Sequence, residues 1–311
     1  MYSPKSPLLS SLTPFSRLLF SVLLIISCFA LTFLLGLVIA IPLFGMSIQD
    51  IMNSLSNYNN EKTLWILQYF QVLQSFGLFI LPALLAGFLF ERNTIRFLAL
   101  NKTPKWSVYL ILLLLMFATL PLINWMVSLN EMMRFPEWLK GVETWMKSTE
   151  NEATQLTEAF LKMPTFNAFL FNLLMIAVLP AIGEEFLFRG LLQRLLKEWL
   201  TNIHLAIFFS AFLFSAMHLQ FYGFLPRFML GILFGYLFYW TGSLWVPITA
   251  HFLNNATAII VSYLGQRSII SGDYENFGAT DSYWVLSASF LVTAFLIYLV
   301  IRYKNGSDKR I

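Results

Sequence analysis

Residues 163–189, MPTFNAFLFNLLMIAVLPAIGEEFLFR, decide how the rest of the chain is read. The uncharged part, 163–183, is long enough to cross a bilayer, because about 20 apolar residues span the hydrocarbon core. It runs without a break into Glu184, Glu185 and Arg189. A charge near the bilayer centre costs about 2.5–3.5 kcal/mol even on insertion scales, and the charges retained there face one another or a cavity and carry function.

Six further runs lack formal charge: 18–49, 63–90, 106–130, 199–226, 228–266 and 282–301. The run 228–266 is about twice the length of one span and is interrupted by Thr241-Gly242-Ser243 and Pro247, so it is read as two. The reading is an all-α polytopic membrane protein of about eight transmembrane helices, 1–311 forming a single integral membrane domain. Composition agrees. The 311 residues are 58% hydrophobic and 12% charged, with a mean hydropathy of +0.69, which leaves too little charged surface for a soluble protein. No internal repeat is visible. The first run, from Leu18 to Ile41, is too long for a signal peptide and has no small-residue cleavage site. The single Cys28 excludes an internal disulfide framework and a cysteine-rich metal site.

Lysine and arginine in short loops set the orientation. Lys5 and Arg17 precede the first span; Arg92, Arg96, Lys102 and Lys105 lie in 91–105; Arg194 and Lys197 lie near the turn at 200; Arg302, Lys304, Lys309 and Arg310 form the tail. Alternate loops are acidic, with Asp50 and Glu61 in one and Asp273, Glu275 and Asp281 in another. Both termini are therefore expected on the cytoplasmic side of the cell (inner) membrane. The net charge of +4 follows from this topology, and no nucleic acid partner is implied.

The outer amphipathic loop, 129–163, carries an apolar stripe of Phe135, Trp138, Leu139, Val142, Trp145 and Met146, read as a helix in the interface plane. Thr149 with Glu152 fits a capping box for a second short helix. A structural brace is the expected role.

Three motifs carry the polar groups: Glu184-Glu185-x-x-x-Arg189 caps an apolar run, and Phe214-x-x-x-His218 and His251-x-x-x-Asn255 lie inside two later ones, on spans four, five and seven. Glu184 precedes Thr201 by seventeen residues, and His218 follows it by seventeen. In an antiparallel hairpin turning at Thr201-Asn202 both reach roughly 25 Å along their helices, hence a similar depth. His251 lies about 12 Å into its own span, a compatible level. Glu185 and Arg189 share a helix face, so Arg189 neutralises Glu185 and leaves Glu184 to the cavity. Phe214 is expected to pack beside the His218 ring.

These side chains suit peptide-bond hydrolysis. A carboxylate can take a proton from water, and an asparagine amide can donate to the developing oxyanion. Glu184, His218 and His251 are also candidate ligands for a divalent metal such as zinc. Two imidazoles facing one carboxylate exceed what a simple general base needs, which favours metal assistance; direct water activation, with no cofactor, stays open. Taken singly each motif has a bland reading, a solvated helix end or a satisfied core histidine. His204, beside the turn, receives no role on that ground. Three motifs on three spans point to one shared site.

Glu184-Glu185-Phe-Leu-Phe-Arg189-Gly190, Phe214-Ser-Ala-Met-His218 and His251-Phe-Leu-Asn-Asn255 resemble the three motifs of the CAAX protease and bacteriocin-processing family, the Abi proteins of bacteria. Thr241-Gly242-Ser243-Leu244-Trp245 is similar too, and the likeness covers the core 165–265. The resemblance implies an intramembrane endopeptidase, metalloprotease-like if metal is used, with its site opening toward the cytoplasm. It implies that Glu184 activates water, that His218 and His251 assist, that Asn255 stabilises the oxyanion, and that Glu185 and Arg189 hold the first motif. The substrate would be a membrane-associated peptide or protein reached within the lipid bilayer. Other readings are a non-catalytic scaffold or bacteriocin self-immunity protein, and a proton-coupled transporter. The missing inverted repeat argues against the last.

Overall fold

The computed structural model describes residues 7–9, 11–54, 60–270, 274 and 276–307, with side chains as far as Tyr303. All regular structure among them is helical. Nine long helices, numbered here in chain order, are α1 (Pro14–Phe44), α2 (Glu61–Glu91), α3 (Trp106–Glu131), α4 (Lys140–Leu161), α5 (Phe166–Leu200), α6 (Ile203–Ala216), α7 (Phe224–Thr241), α8 (Trp245–Gln266) and α9 (Tyr283–Ser307).

Their boundaries follow from local chemistry. Thr13, Asn60, Thr165 and Asn202 each accept a hydrogen bond from a backbone N–H in the first turn that follows, the exposed-donor problem that short oxygen-bearing side chains solve. Gly45 and Gly242 close α1 and α7 in the left-handed conformation. Thr201 adopts the same conformation and makes the tight turn from α5 into α6.

The protein is a multi-pass membrane protein, and the helices of the eight expected spans are present in order. Six are long and apolar enough to cross a bilayer. The other two are the ones that carry the histidine motifs. Helix α6 has 14 residues, about 21 Å at 1.5 Å per residue, and stops short of the far side. Helix α8 has 22 residues but is too polar through His251, Asn254 and Asn255 to qualify on apolarity.

The basic segments collect at one end of the bundle. Arg194 Nη2 lies 2.7 Å from Glu91 Oε1, Arg17 Nη1 lies 3.6 Å from Glu198 Oε2, Trp245 Nε1 donates to Leu100 O, and Ser243 Oγ donates to Lys102 O. At the other end Gln266 Nε2 donates to Leu161 O and Arg267 to Met163 O. Lys5, Asp273, Glu275, Lys309 and Arg310 lie outside the described residues, as does the side chain of Lys304.

The 129–163 segment differs from expectation in one respect. Helix α4 continues through Thr149, so no second helix begins there. Thr149 Oγ1 donates to Trp145 O one turn back instead of capping, and Ser148 Oγ takes Glu152. On its exposed face Lys147 donates to Glu143 at 2.6 Å. This hydrogen bond holds Glu143 below the usual carboxylate range and Lys147 above the usual lysine value.

Candidate active site

Helix α5 carries the first motif on an irregular backbone. Glu184 and Glu185 end a short α-helical piece, Leu179–Glu185, set between two wider π-helical stretches, Leu173–Val178 and Phe186–Leu192. Insertions of this kind re-aim side chains and recur at functional sites. Pro180 has no N–H and so cannot donate to a carbonyl of the preceding turn. Asn255 Nδ2 on α8 donates to Ile176 O in that turn at 3.1 Å. Gly183 lets α2 approach closely: a Cβ there would sit 3.0 Å from Phe79 Cβ.

The two carboxylates take different partners. Glu185 is fully buried, and Arg189 Nη1 donates to its Oε1 at 2.8 Å. Arg189 Nη2 donates to Gly231 O at 3.0 Å, and the guanidinium lies over the Phe214 ring at 4.6 Å and the Phe234 ring at 5.5 Å. The expected pairing of Arg189 with Glu185 is present. One contact went unforeseen: His251 Nδ1 donates to the same Glu185 Oε1 at 2.9 Å, so Glu185 orients both a guanidinium and an imidazole. His251 Nε2 then points the other way and lies 3.9 Å from Glu184 Oε2. That is too long for a direct hydrogen bond and suits a bridging water. Glu184 Oε2 is buried and accepts no hydrogen bond from any group among the described residues.

His218 is not on helix α6, which ends at Ala216. It sits in the turn beyond, where Leu219 adopts a left-handed φ of 53°, an unusual conformation for leucine. Its Nδ1 donates to Phe214 O at 2.8 Å, and its ring meets Phe214 edge-on at 5.2 Å, the expected packing reached from a different backbone. The turn is held by three groups. Asn130 on α3 donates to Phe221 O and accepts from Leu225 N; Ser215 Oγ donates to Phe224 O; Glu150 on α4 accepts from Tyr222 N. Both imidazoles therefore carry a proton on Nδ1 and present Nε2 to the site.

A small cavity of about 100 Å³ is lined by Glu184, His218, His251, Asn255, Asn254 and Arg227, with Phe214, Leu230 and Phe234 around them. Glu184, His218 and Asn255 also line a larger cavity of about 350 Å³ that reaches Gln71 and Gln74 on α2 and Leu156, Thr157 and Phe160 on α4. All four expected catalytic residues thus border one cavity. Its direction corrects the implied opening toward the basic loops. On that side Phe79, Phe188 and Phe214 form a layer, with Phe188 6.4 Å from Phe79 and 5.3 Å from Phe214. Behind it lies the packed core of Leu98, Leu187, Leu191, Leu195 and Leu244. The lining extends instead beneath α4, which therefore roofs the cavity as well as bracing the bundle.

Sequence reasoning missed Phe234, stacked on His251 at 5.3 Å, and also Arg227 and Asn130. Gly231-x-x-x-Gly235 was the one readable signal near them. A Cβ at Gly231 would sit 3.0 Å from Ala211 Cβ, and one at Gly235 2.8 Å from Ile207, so both glycines let α7 press against α6 and bring Phe234 to the site.

No group of three or more His, Cys, Asp or Glu side chains stands so as to hold a metal ion among the described residues. The expected zinc set of Glu184, His218 and His251 is not gathered as ligands.

Residues 166–257, which contain all three motifs, match the family model described as type II CAAX prenyl endopeptidase Rce1-like. This bears out the family resemblance read from the motifs. A curated Bacillus subtilis (strain 168) protein, described as the uncharacterized protein YpbD, is 32% identical over 89 residues. The alignment covers 27% of this chain and 42% of that protein, so this chain spans less than half of the relative's length. No solved structure matches the chain.

Proposed function

We propose that this protein is an intramembrane endopeptidase that hydrolyses a peptide bond of a membrane-associated peptide or protein. The observation that carries the proposal is Glu184: a buried carboxylate oxygen with no protein donor, facing a cavity, 3.9 Å from His251 Nε2. The likeness of 166–257 to the type II CAAX prenyl endopeptidases supports the reaction class.

A water between Glu184 Oε2 and the imidazole Nε2 atoms attacks the substrate carbonyl carbon while Glu184 takes its proton. The oxyanion meets Asn255 Nδ2, only one of whose two N–H groups is needed by Ile176 O, and the positive field of Arg227. Collapse breaks the C–N bond, and Glu184 returns the proton to the leaving amine. General-base catalysis of this type is worth about 10²–10⁴-fold. Glu185 keeps His251 in the tautomer and orientation that leave Nε2 unprotonated. The substrate enters the cavity bordered by Gln71, Gln74 and α4.

A metal-assisted variant has one observation in its favour. Both imidazoles fix Nδ1 on an oxygen, the outer hydrogen bond that metal-binding histidines usually make. Removing metal by chelation and confirming its loss by elemental analysis separates the two. The proposal expects turnover to persist; turnover that vanishes and returns with zinc or cobalt would establish the metal.

A further inference from the structure

At the basic end lies a cavity of about 1020 Å³, remote from the glutamate–histidine site. Its lining contains four cationic side chains, Arg96, Lys102, Arg194 and Lys197, against the single carboxylate of Glu91. That carboxylate is taken by Arg194, whose Nη1 also donates to Phe97 O. No carboxylate lies within ion-pair distance of Arg96, Lys102 or Lys197 among the described residues. Arg17 and Arg194 both reach Glu198 at this end.

Three solvent-exposed cations around a roomy cavity, with their would-be counter-ions absent, form a site short of negative charge. Asn93 and Asn101 add amide donors, and Tyr239 and Phe238 line the side toward the helices. The crevice lies where α2, α5 and α7 end, the level of lipid headgroups. Basic pockets between transmembrane helices at that level suit phosphate-bearing headgroups, each cation adding about 1 kcal/mol near an anionic surface. We infer that this crevice binds a phosphate group, carried by an anionic lipid or by a soluble phosphorylated ligand.

The crevice is joined to the first motif along helix α5. Gln193, which lines it, donates to Gly235 O on α7, and Gln193 and Arg194 follow directly on the π-helical stretch that holds Arg189. An occupant would therefore steady the same helix that carries Glu184.

The test uses full-length protein in detergent, titrated with phosphatidylglycerol, phosphatidylcholine or inorganic phosphate. Bound copies are counted by native mass spectrometry. Arg96→Gln, Lys102→Gln and Lys197→Gln are combined, all at exposed positions, with Lys62→Gln, Lys140→Gln and Lys162→Gln as a charge-matched control on the opposite face. The parent and control should bind phosphatidylglycerol at least tenfold more tightly than the crevice variant, and phosphatidylcholine should not discriminate. Phosphatidylglycerol binding that inorganic phosphate leaves in place identifies a lipid ligand. Inorganic phosphate bound by the parent and lost in the crevice variant identifies a soluble one. Equal binding of both probes by the parent and crevice variant, or equal loss in the control, would overturn the inference.

Discussion

At the scale of single residues, the account rests on two adjacent carboxylates given opposite tasks. Glu185 Oε1 is taken by both Arg189 and His251, while Glu184 is the one that borders the cavity. Arg189→Ala should therefore cost about 3–5 kcal/mol, the usual penalty for leaving half of a buried pair unmatched. A thermal melt of the purified variant checks this. An inactive variant as stable as the parent would instead mean that Arg189 acts on substrate. Asn255→Ala should lower kcat by about 10²–10³, the cost of one oxyanion donor, with a smaller change in KM; unchanged kcat would remove it from the mechanism. The motif residues were legible because each is polar inside an apolar run. The contact of His251 with Glu185 was not. Neighbouring helical positions differ by about 100°, and two π-helical stretches add rotation that spacing rules do not count.

At the scale of elements, the turn after α6 is the least regular part of the site and was the hardest to foresee. No Gly or Pro stands between Phe214 and Leu219 to announce that the helix ends at Ala216. The turn beyond is held by Asn130 on α3 and Glu150 on α4, together with Ser215 on α6 itself. Asn130→Ala removes a donor and an acceptor that hold Phe221 and Leu225. It should free the His218 turn, raise hydrogen exchange at 217–225 and reduce turnover, while α5 stays protected. Exchange unchanged in that segment would show that the turn holds itself. The α6–α7 contact does carry a mark in the sequence, since Gly231-x-x-x-Gly235 is a close-packing pattern in membranes.

At the scale of the molecule, apolar run lengths were enough to place the spans, because the bilayer fixes how long each must be. They did not reveal which side of the site is closed. That depends on the Phe79, Phe188 and Phe214 layer, three aromatic residues among 32 phenylalanines with nothing in their spacing to mark them. Charge asymmetry predicts a cytoplasmic basic end, and on that expectation α4 and the cavity beneath it should face outward. Thr103→Cys and Ser148→Cys, each in a Cys28→Ser background, test this with an impermeant thiol reagent on intact cells. Labelling is expected at 148 alone, and labelling at 103 would invert the orientation.

The most direct test of the central claim compares the parent with Glu184→Gln, a variant that keeps the side-chain shape and loses the base. Both are reconstituted in liposomes with a library of membrane-spanning peptides, and new peptide termini are read by mass spectrometry. The account predicts cleavage products from the parent and at least a hundredfold fewer from a Glu184→Gln protein that melts at the parent's temperature. The same termini appearing at the parent's rate in the variant would contradict it.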